Sequence, residues 1–179
     1  MINPAELAAK AQSIEEQNYK FRTFLKIRAD DDKLDAQFLS LHKELFADYD
    51  CSKCANCCKT LTIIMRSDEA QRIAAYLNMT ENEFREQYLI KTDVDEDDEY
   101  DDAGERPYKF KESPCPFLEA DGHCRIQSCK PNGCKGFPFT DRPRRLSSML
   151  SIIGHAEVCP IVFEILERLK VMYKFRNRR

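Results

Sequence analysis

Cys51-Ser-Lys-Cys54-Ala-Asn-Cys57-Cys58 places four thiols within eight residues, as two overlapping C-x-x-C steps that end in an adjacent pair. A C-x-x-C turn brings two sulfurs near enough to grip one ion. The residues between them leave backbone N–H groups to hydrogen-bond the thiolates. Such a segment can bind metal or carry thiol redox chemistry. Five further cysteines follow, at Cys115, Cys124, Cys129, Cys134 and Cys159, and none precedes Cys51. The opening, Met-Ile-Asn-Pro-Ala-Glu-Leu, has neither a basic nor an apolar leader region. A reducing, cytoplasmic setting is therefore expected, where clustered thiols serve metal or redox chemistry in preference to disulfides.

Eight thiolates divide naturally into two tetrathiolate sets, which sets one of the nine aside. Cys129 is the candidate, because it follows Cys124 closely and lacks the adjacent Pro or Gly of Cys115, Cys134 and Cys159. Cys57 and Cys58 are adjacent, so their side chains tend to diverge, toward different ions or different sides of one cluster. Zinc favours closed tetrahedral sites built from separate C-x-x-C knuckles, whereas here the knuckles overlap. Iron–sulfur clusters use C-x-x-C-x-x-C runs and a Cys followed by Pro. Cys51, Cys54 and Cys57 match the run, and Cys115-Pro116 and Cys159-Pro160 echo the Cys-Pro pair. Zinc and iron both stay open on these residues. His42 reads as a helix-surface residue. His123, beside Cys124, and His155, four residues before Cys159, are candidates for ligand or orienting donor, with an ordinary loop histidine the preferred reading.

The elements that must position these thiols are mainly helical. Asn3-Pro4-Ala-Glu6 is a helix start, with Leu7, Ala11, Ile14, Phe21 and Leu25 as an apolar face whose spacing drifts around Glu15 to Asn18. Ala29 to Asp32 breaks the pattern, and Leu34, Phe38, Leu41 and Leu45 mark a second helix, expected to form a hairpin with the first. Leu61 to Met65 reads as a strand. Ser67-Asp-Glu caps a helix carrying Ile73, Ala74 and Leu77. Thr80 to Glu83 is a capping box for the next, with Phe84, Tyr88 and Leu89 inward. Asp93 to Asp102 is almost wholly acidic and reads as a solvated loop without the spacing of a calcium-binding EF-hand. Tyr108 to Lys111 alternates like a strand. The stretch from Ser113 to Pro138 is so rich in Pro, Gly and Cys that a bound metal would have to hold it folded. Leu146 to Ile153 is expected as one more strand. Cys159-Pro160 starts a closing helix with Ile161, Ile165, Leu169, Met172 and Phe175, ending in a basic tail that suits the helix dipole.

The length of 179 residues suits one domain, 1–179, with an N-terminal helical hairpin over 1–50, a cysteine-cluster core over 51–160 and a C-terminal helix over 161–179. The predicted class is α+β, mainly helical, with helices around a loop-dense, cysteine-rich metal-binding centre and a few short strands. A hydrophobic content of 42% with 33% charged residues fits a soluble chain, and no apolar run is long enough for a membrane span. The net charge of −3 gives the chain as a whole no support as a nucleic-acid binder.

The order Cys51-x-x-Cys54-x-x-Cys57-Cys58, Cys115-Pro-Phe-Leu118, Cys124-x-Ile126, Lys130-Pro131-x-x-Cys134 and Phe137-Pro138 resembles the YkgJ-type cysteine-cluster family, also called the CxxCxxCC domain. The resemblance covers about residues 51 to 160 and implies chelation of zinc or iron. It also implies a ligand set of Cys51, Cys54, Cys57, Cys58, Cys115, Cys124, Cys134 and Cys159, with Cys129 extra. The chain departs from the pattern at Lys130, where Arg is usual, and at Gln127, where Tyr is common. Some relatives carry the name flagellin lysine methylase. No Gly-rich loop of the kind that holds S-adenosylmethionine is present here, so methyl transfer has no residues behind it.

The expectation is a cytoplasmic metal-binding protein whose cofactor is zinc or iron, the latter as an iron–sulfur or multinuclear centre. Its expected partner is the metal ion, with no membrane and no clear nucleic-acid partner. The alternative is an enzyme that uses the same centre for redox chemistry or protein modification. A third reading is an interaction module that metal merely organises.

Overall fold

The computed structural model describes residues 2–92 and 108–177; the acidic run Asp93 to Asp102 and the last two residues of the basic tail lie outside the described residues. In chain order the elements are α1 (Pro4–Ser13), α2 (Glu15–Arg28), α3 (Asp31–Phe46), α4 (Cys51–Cys54), α5 (Asn56–Thr60), β1 (Ile64–Met65), α6 (Ser67–Tyr76), α7 (Glu81–Tyr88), β2 (Leu89–Lys91), β3 (Tyr108–Phe110), a 3-10 turn at Gln127–Cys129, α8 (Asn132–Gly136), α9 (Met149–His155) and α10 (Pro160–Met172). The fold is α+β and mainly helical, as the sequence predicts. It is built as two compact units, one from residues 1–56 and 138–179, the other from Cys57–Phe137.

The first unit is helical. Asn3 Oδ1 accepts the Ala5 N–H at 3.0 Å and Pro4 opens α1, since Pro lacks only an N–H that the first turn leaves unpaired anyway. Leu7, Ala11, Phe21 and Leu25 are buried, but on two helices. Ile14, with φ −119° and ψ 12°, breaks the run beside the stretch where the sequence spacing drifts. Asp30 Oδ1 caps α3 through the Lys33 N–H at 2.9 Å, and Leu34, Phe38 and Leu41 are buried. Helix α3 packs on α10, α2 packs on α9, and α1 touches both α2 and α10. Asp35 accepts the backbone N–H groups of Arg144 and Arg145 at 2.6 and 2.8 Å, which fixes the loop leading into α9 against α3.

Two expectations fail in the C-terminal elements of this unit. Leu146 to Ile153 is not a strand, because Met149–His155 forms α9. The buried set Met149, Ile152, Ile153 and Ala156 follows the three- and four-residue spacing of a helix face, which outweighs the β-branched content. In α10, Ile161, Ile165 and Leu169 are buried as expected, with Val162, Phe163 and Leu166 beside them. Met172, however, is 48% exposed, and Phe175 lies beyond the helix, its ring 5.1 Å from that of Phe21.

The second unit is a small antiparallel sheet with helices on it, in the order β1-β3-β2. Its register pairs Met65 and Lys91 with Tyr108, on opposite sides of β3. Alternation in Tyr108–Phe110 buries Tyr108 and Phe110, so the predicted strand is the central one. Only Ile64–Met65 of the predicted strand from Leu61 to Met65 pairs. The Thr80 capping box forms as expected: Thr80 Oγ1 accepts the Glu83 N–H at 3.3 Å and Glu83 Oε2 accepts the Thr80 N–H at 2.8 Å. At α6 the cap position is held by Arg66, and Ser67 is the first helical residue. The core gathers Met65, Ala70, Ile73, Phe84, Phe110, Phe117, Ile126 and Cys129. Phe84, Tyr88 and Phe110 surround Phe117 with ring centroids 4.9–6.3 Å away.

Candidate metal centre

The structure sorts the predicted ligands by unit. In the helical unit, Cys51 and Cys54 occupy one short helix, α4, which Asp50 caps by accepting the Ser52 N–H at 3.0 Å. Ala55 then takes a left-handed conformation, φ 47°, its N–H donating to the Cys51 carbonyl at 2.8 Å. Past this turn the partly buried Asn56 donates its side-chain amide to the Val158 carbonyl at 2.8 Å, one residue before Cys159. Cys159 itself precedes the first turn of α10, and its sulfur accepts the backbone N–H groups of Val162 and Ile161. Cys159 feels the charges of Cys51 and Cys54, so the three thiols form one electrostatic group. Burial first, then the neighbouring thiols, push Cys159 up to about 11. The Tyr49 hydroxyl joins the group. It bonds the Cys54 thiol, and burial, then Cys54, Cys159 and Cys51, raise its pKa far above the usual phenol range.

In the second unit, Cys57, Cys58, Cys115, Cys124 and Cys134 line one cavity of about 60 Å³ with Leu61, Ile63, Phe110, Ile126, Lys130, Pro131 and Phe137. Each thiol arrives by a separate device. Cys57 and Cys58 ride on α5, with their sulfurs 4.0 Å apart. Cys115 is tied to α5 by its N–H, which donates to the Cys58 carbonyl at 2.8 Å, and Ser113 Oγ donates to the Lys59 carbonyl at 3.2 Å. A bridge between Leu118 and Cys124 turns the chain back through Gly122, whose φ of 86° suits a residue without Cβ. Cys134 sits on α8, whose entry is gripped by Glu69. Glu69 Oε1 accepts the Asn132 N–H at 2.7 Å and its Oε2 accepts the Arg66 N–H at 2.9 Å. Arg72 from the next turn of α6 donates to the Lys130 carbonyl at 3.2 Å.

The thiols of this cavity are electrostatically unequal. Burial, then Cys115 and Cys58, push Cys134 up to about 12. Burial likewise raises Cys115 and Cys124, although both sulfurs accept backbone N–H groups, from Phe117 and Leu118 and from Ile126 respectively. Cys58 is brought down to about 6 by the hydrogen bond from Cys57, then by Lys130 and Lys59. Thiols held neutral by burial and then by one another's proximity are what a cation would relieve, since metal binding replaces their protons. The N–H···S bonds at Cys115, Cys124 and Cys159 are of the kind that orient and neutralise metal thiolates.

Among the described residues no trio of His, Cys, Asp or Glu side chains stands at metal-binding geometry. The thiols line a common space instead of converging on a point. That space is several times the roughly 10–15 Å³ that one water requires. Its donors are the soft thiolates that zinc and iron–sulfur centres take. Donor chemistry and room therefore fit such a group.

Cys129 is apart from both sets. It is 5% exposed within the apolar core of the second unit, and burial raises its pKa. The histidines divide. His42 is not the surface residue that its helix position suggests: it is partly buried, its Nδ1 is 2.8 Å from Thr140 Oγ1 and its ring is 4.5 Å from Phe46. His123 is exposed beside Asp121, at 3.2 Å. His155 bonds the Pro138 backbone and lies 6.3 Å from the Phe139 ring, and burial lowers its pKa. Sequence reasoning passed over Tyr49, Asn56, Glu69, Arg72 and the Lys130 side chain as site residues. Asn56 carried a signal, being an amide inside the cluster. The others show themselves only through the fold.

The CxxCxxCC family, described as "Putative zinc- or iron-chelating domain", matches residues 50–160. No curated protein and no solved structure matches the chain. No helix among the described residues is long and apolar enough to cross a membrane. With its four-thiol segment, its five later cysteines and a match over more than half its length, the chain belongs to the CxxCxxCC family.

Proposed function

We propose that the protein is a cytoplasmic metal-binding protein that holds zinc or iron through eight cysteines in thiolate groups. Cys58, Cys115, Cys124 and Cys134 form one group, with Cys57 beside Cys58 in the same cavity. Cys51, Cys54 and Cys159 form the other, with Tyr49 donating to Cys54. The observation that carries this reading is the cavity lined by five thiols and otherwise mostly apolar side chains. So many thiols facing one another in an apolar lining are stabilised when a cation replaces their protons. The bound metal supplies a rigid thiolate centre, closed as zinc sites are or redox-active as iron–sulfur clusters are. The protein's own part is to order the sulfurs through backbone N–H groups, to exclude water with Ile63, Phe110 and Ile126, and to set the Lys130 charge at the cavity.

A second reading is an enzyme that uses the centre for redox chemistry. It draws on the depressed Cys58 thiol next to Cys57. Metal and acid-labile sulfide content, with an absorption spectrum, on protein purified without oxygen test both. Iron with sulfide and visible absorbance supports a cluster and brings the enzyme forward. Colourless protein with zinc supports closed thiolate sites. Protein that neither holds nor takes up metal overturns the proposal.

A further inference from the structure

The helical unit carries a second feature, remote in chemistry from the thiols. An open groove of about 560 Å³ is lined by Lys20, Phe24, Arg28, Lys174, Phe175 and Arg176, with Asn177 at its edge. That volume lies in the range of small-ligand sites, roughly 300–1,000 Å³. Lys20 and Arg28 stand one turn before and one turn after Phe24 on α2, so the aromatic ring has a cation on either side along the helix. Opposite, Phe175 meets Phe24 with ring centroids 5.4 Å apart and planes at 64°. Buried Phe21 and partly buried Tyr173 back the pair, at 5.1 Å from Phe175 and 6.5 Å from Phe24. Two carboxylates temper the charge: Glu16, paired with Lys20 at 2.9 Å, and Asp30, whose charge reaches Tyr173.

The way the chain reaches this groove is itself unusual. Lys174 adopts φ 52°, a left-handed conformation that costs a non-glycine residue roughly 1–2 kcal/mol. Its N–H donates to the Val171 carbonyl and that of Phe175 to the Lys170 carbonyl, both at 2.9 Å. This reversal at the end of α10 brings Lys174, Phe175 and Arg176 to face α2. Helix-end electrostatics account for basic residues after α10. They do not account for an aromatic pair set between cations from two segments.

We infer that this groove binds a nucleoside phosphate, either free or as one unit of a single-stranded nucleic acid. The base packs on Phe24 and Phe175, and the phosphates meet Arg28, Lys174, Arg176 and Lys20. Stacking on an aromatic platform flanked by cations is how single strands and nucleotides are held without sequence preference. An acidic peptide would use the cations but not the ring faces, and so is the weaker fit.

The test is fluorescence anisotropy on the full, metal-loaded chain, with a labelled single-stranded oligonucleotide and with a labelled adenosine triphosphate. At least one probe is expected to bind, more weakly as salt rises. Tight binding of both, with full competition, identifies a free-nucleotide site; binding of the oligonucleotide alone identifies a single-strand site. Arg28→Glu with Lys174→Glu is expected to weaken binding about tenfold or more, and Phe24→Leu about fivefold or more. The charge reversals lie on exposed positions, so they report even where Phe24→Leu loosens the aromatic cluster. Failure of both probes overturns the inference, as does unchanged binding by the charge-reversed variant. Displacement by polyglutamate with Phe24→Leu binding undiminished also overturns it, in favour of an acidic-peptide site.

Discussion

The backbone N–H of Cys115 donates to the carbonyl of Cys58 at 2.8 Å, so two cysteines far apart in sequence are joined through the main chain before any metal is considered. With the Leu118–Cys124 bridge and the Glu69 grip on α8, it makes the five-thiol cavity a property of the fold. The cavity's sulfurs can therefore be tested one at a time without dismantling their neighbours.

Replacing Cys54, Cys57, Cys115 or Cys134 by Ser is expected to lower metal content per chain and the melting temperature. Cys129→Ser should leave metal content unchanged, since that thiol faces the apolar core. Metal analysis by mass spectrometry decides it. Equal content in all five variants would remove the ligand assignment.

Glu69 is 4% exposed and satisfies two backbone N–H groups at once. Glu69→Ala should cost about 2–6 kcal/mol, because each of the two buried donors left unpaired costs roughly 1–3. Glu69→Gln, which keeps a carbonyl acceptor, should cost about half as much. Urea unfolding measures the stability. Competition with a chelator should show faster metal loss in the Ala variant, as the arm carrying Cys134 loosens.

Asn56→Ala removes the amide bond to the Val158 carbonyl. The expected loss is about 1 kcal/mol, with weaker metal retention by the group of Cys51, Cys54 and Cys159. A variant with the retention of the parent would assign Asn56 to packing alone.

The thiol shifts give opposite pH responses to the metal-free and metal-bound protein. Burial raises Cys134 to about 12 and Cys159 to about 11, from 9.0. A raised pKa means stability that is complete below the unfolded value and lost as pH climbs through the folded one. Metal-free protein should thus weaken from about pH 9 upward. Metal-bound protein should weaken on acidification instead, as protons compete for the thiolates. Binding near neutral pH should release protons, chiefly from Cys115, Cys124, Cys134 and Cys159, measurable by calorimetry in two buffers of different ionisation enthalpy.

The helix starts at Asn3-Pro4 and Thr80 were legible because capping is local chemistry, written within four residues. The gathering of thiols was legible as a need, not as a map: C-x-x-C-x-x-C-C says that sulfurs cluster, but which join Cys124 or Cys159 depends on contacts such as Asn56 to Val158. The Leu146–Ile153 strand was misread because a short apolar run with β-branched residues fits either period, and only the burial of Met149, Ile152, Ile153 and Ala156 together reveals the helix face. His42 was misplaced for a similar reason, since its partner Thr140 comes from distant sequence.

Cys129, buried in the same core as Ile73, Phe84 and Phe117, has a kinetic use. Alkylating reagents should consume the partly exposed thiols quickly once metal is stripped, and the buried Cys159 of the helical unit more slowly. Cys129 is reached only when the core around it opens. Its labelling rate is a built-in stopwatch for that opening, readable peptide by peptide in the mass of its adduct.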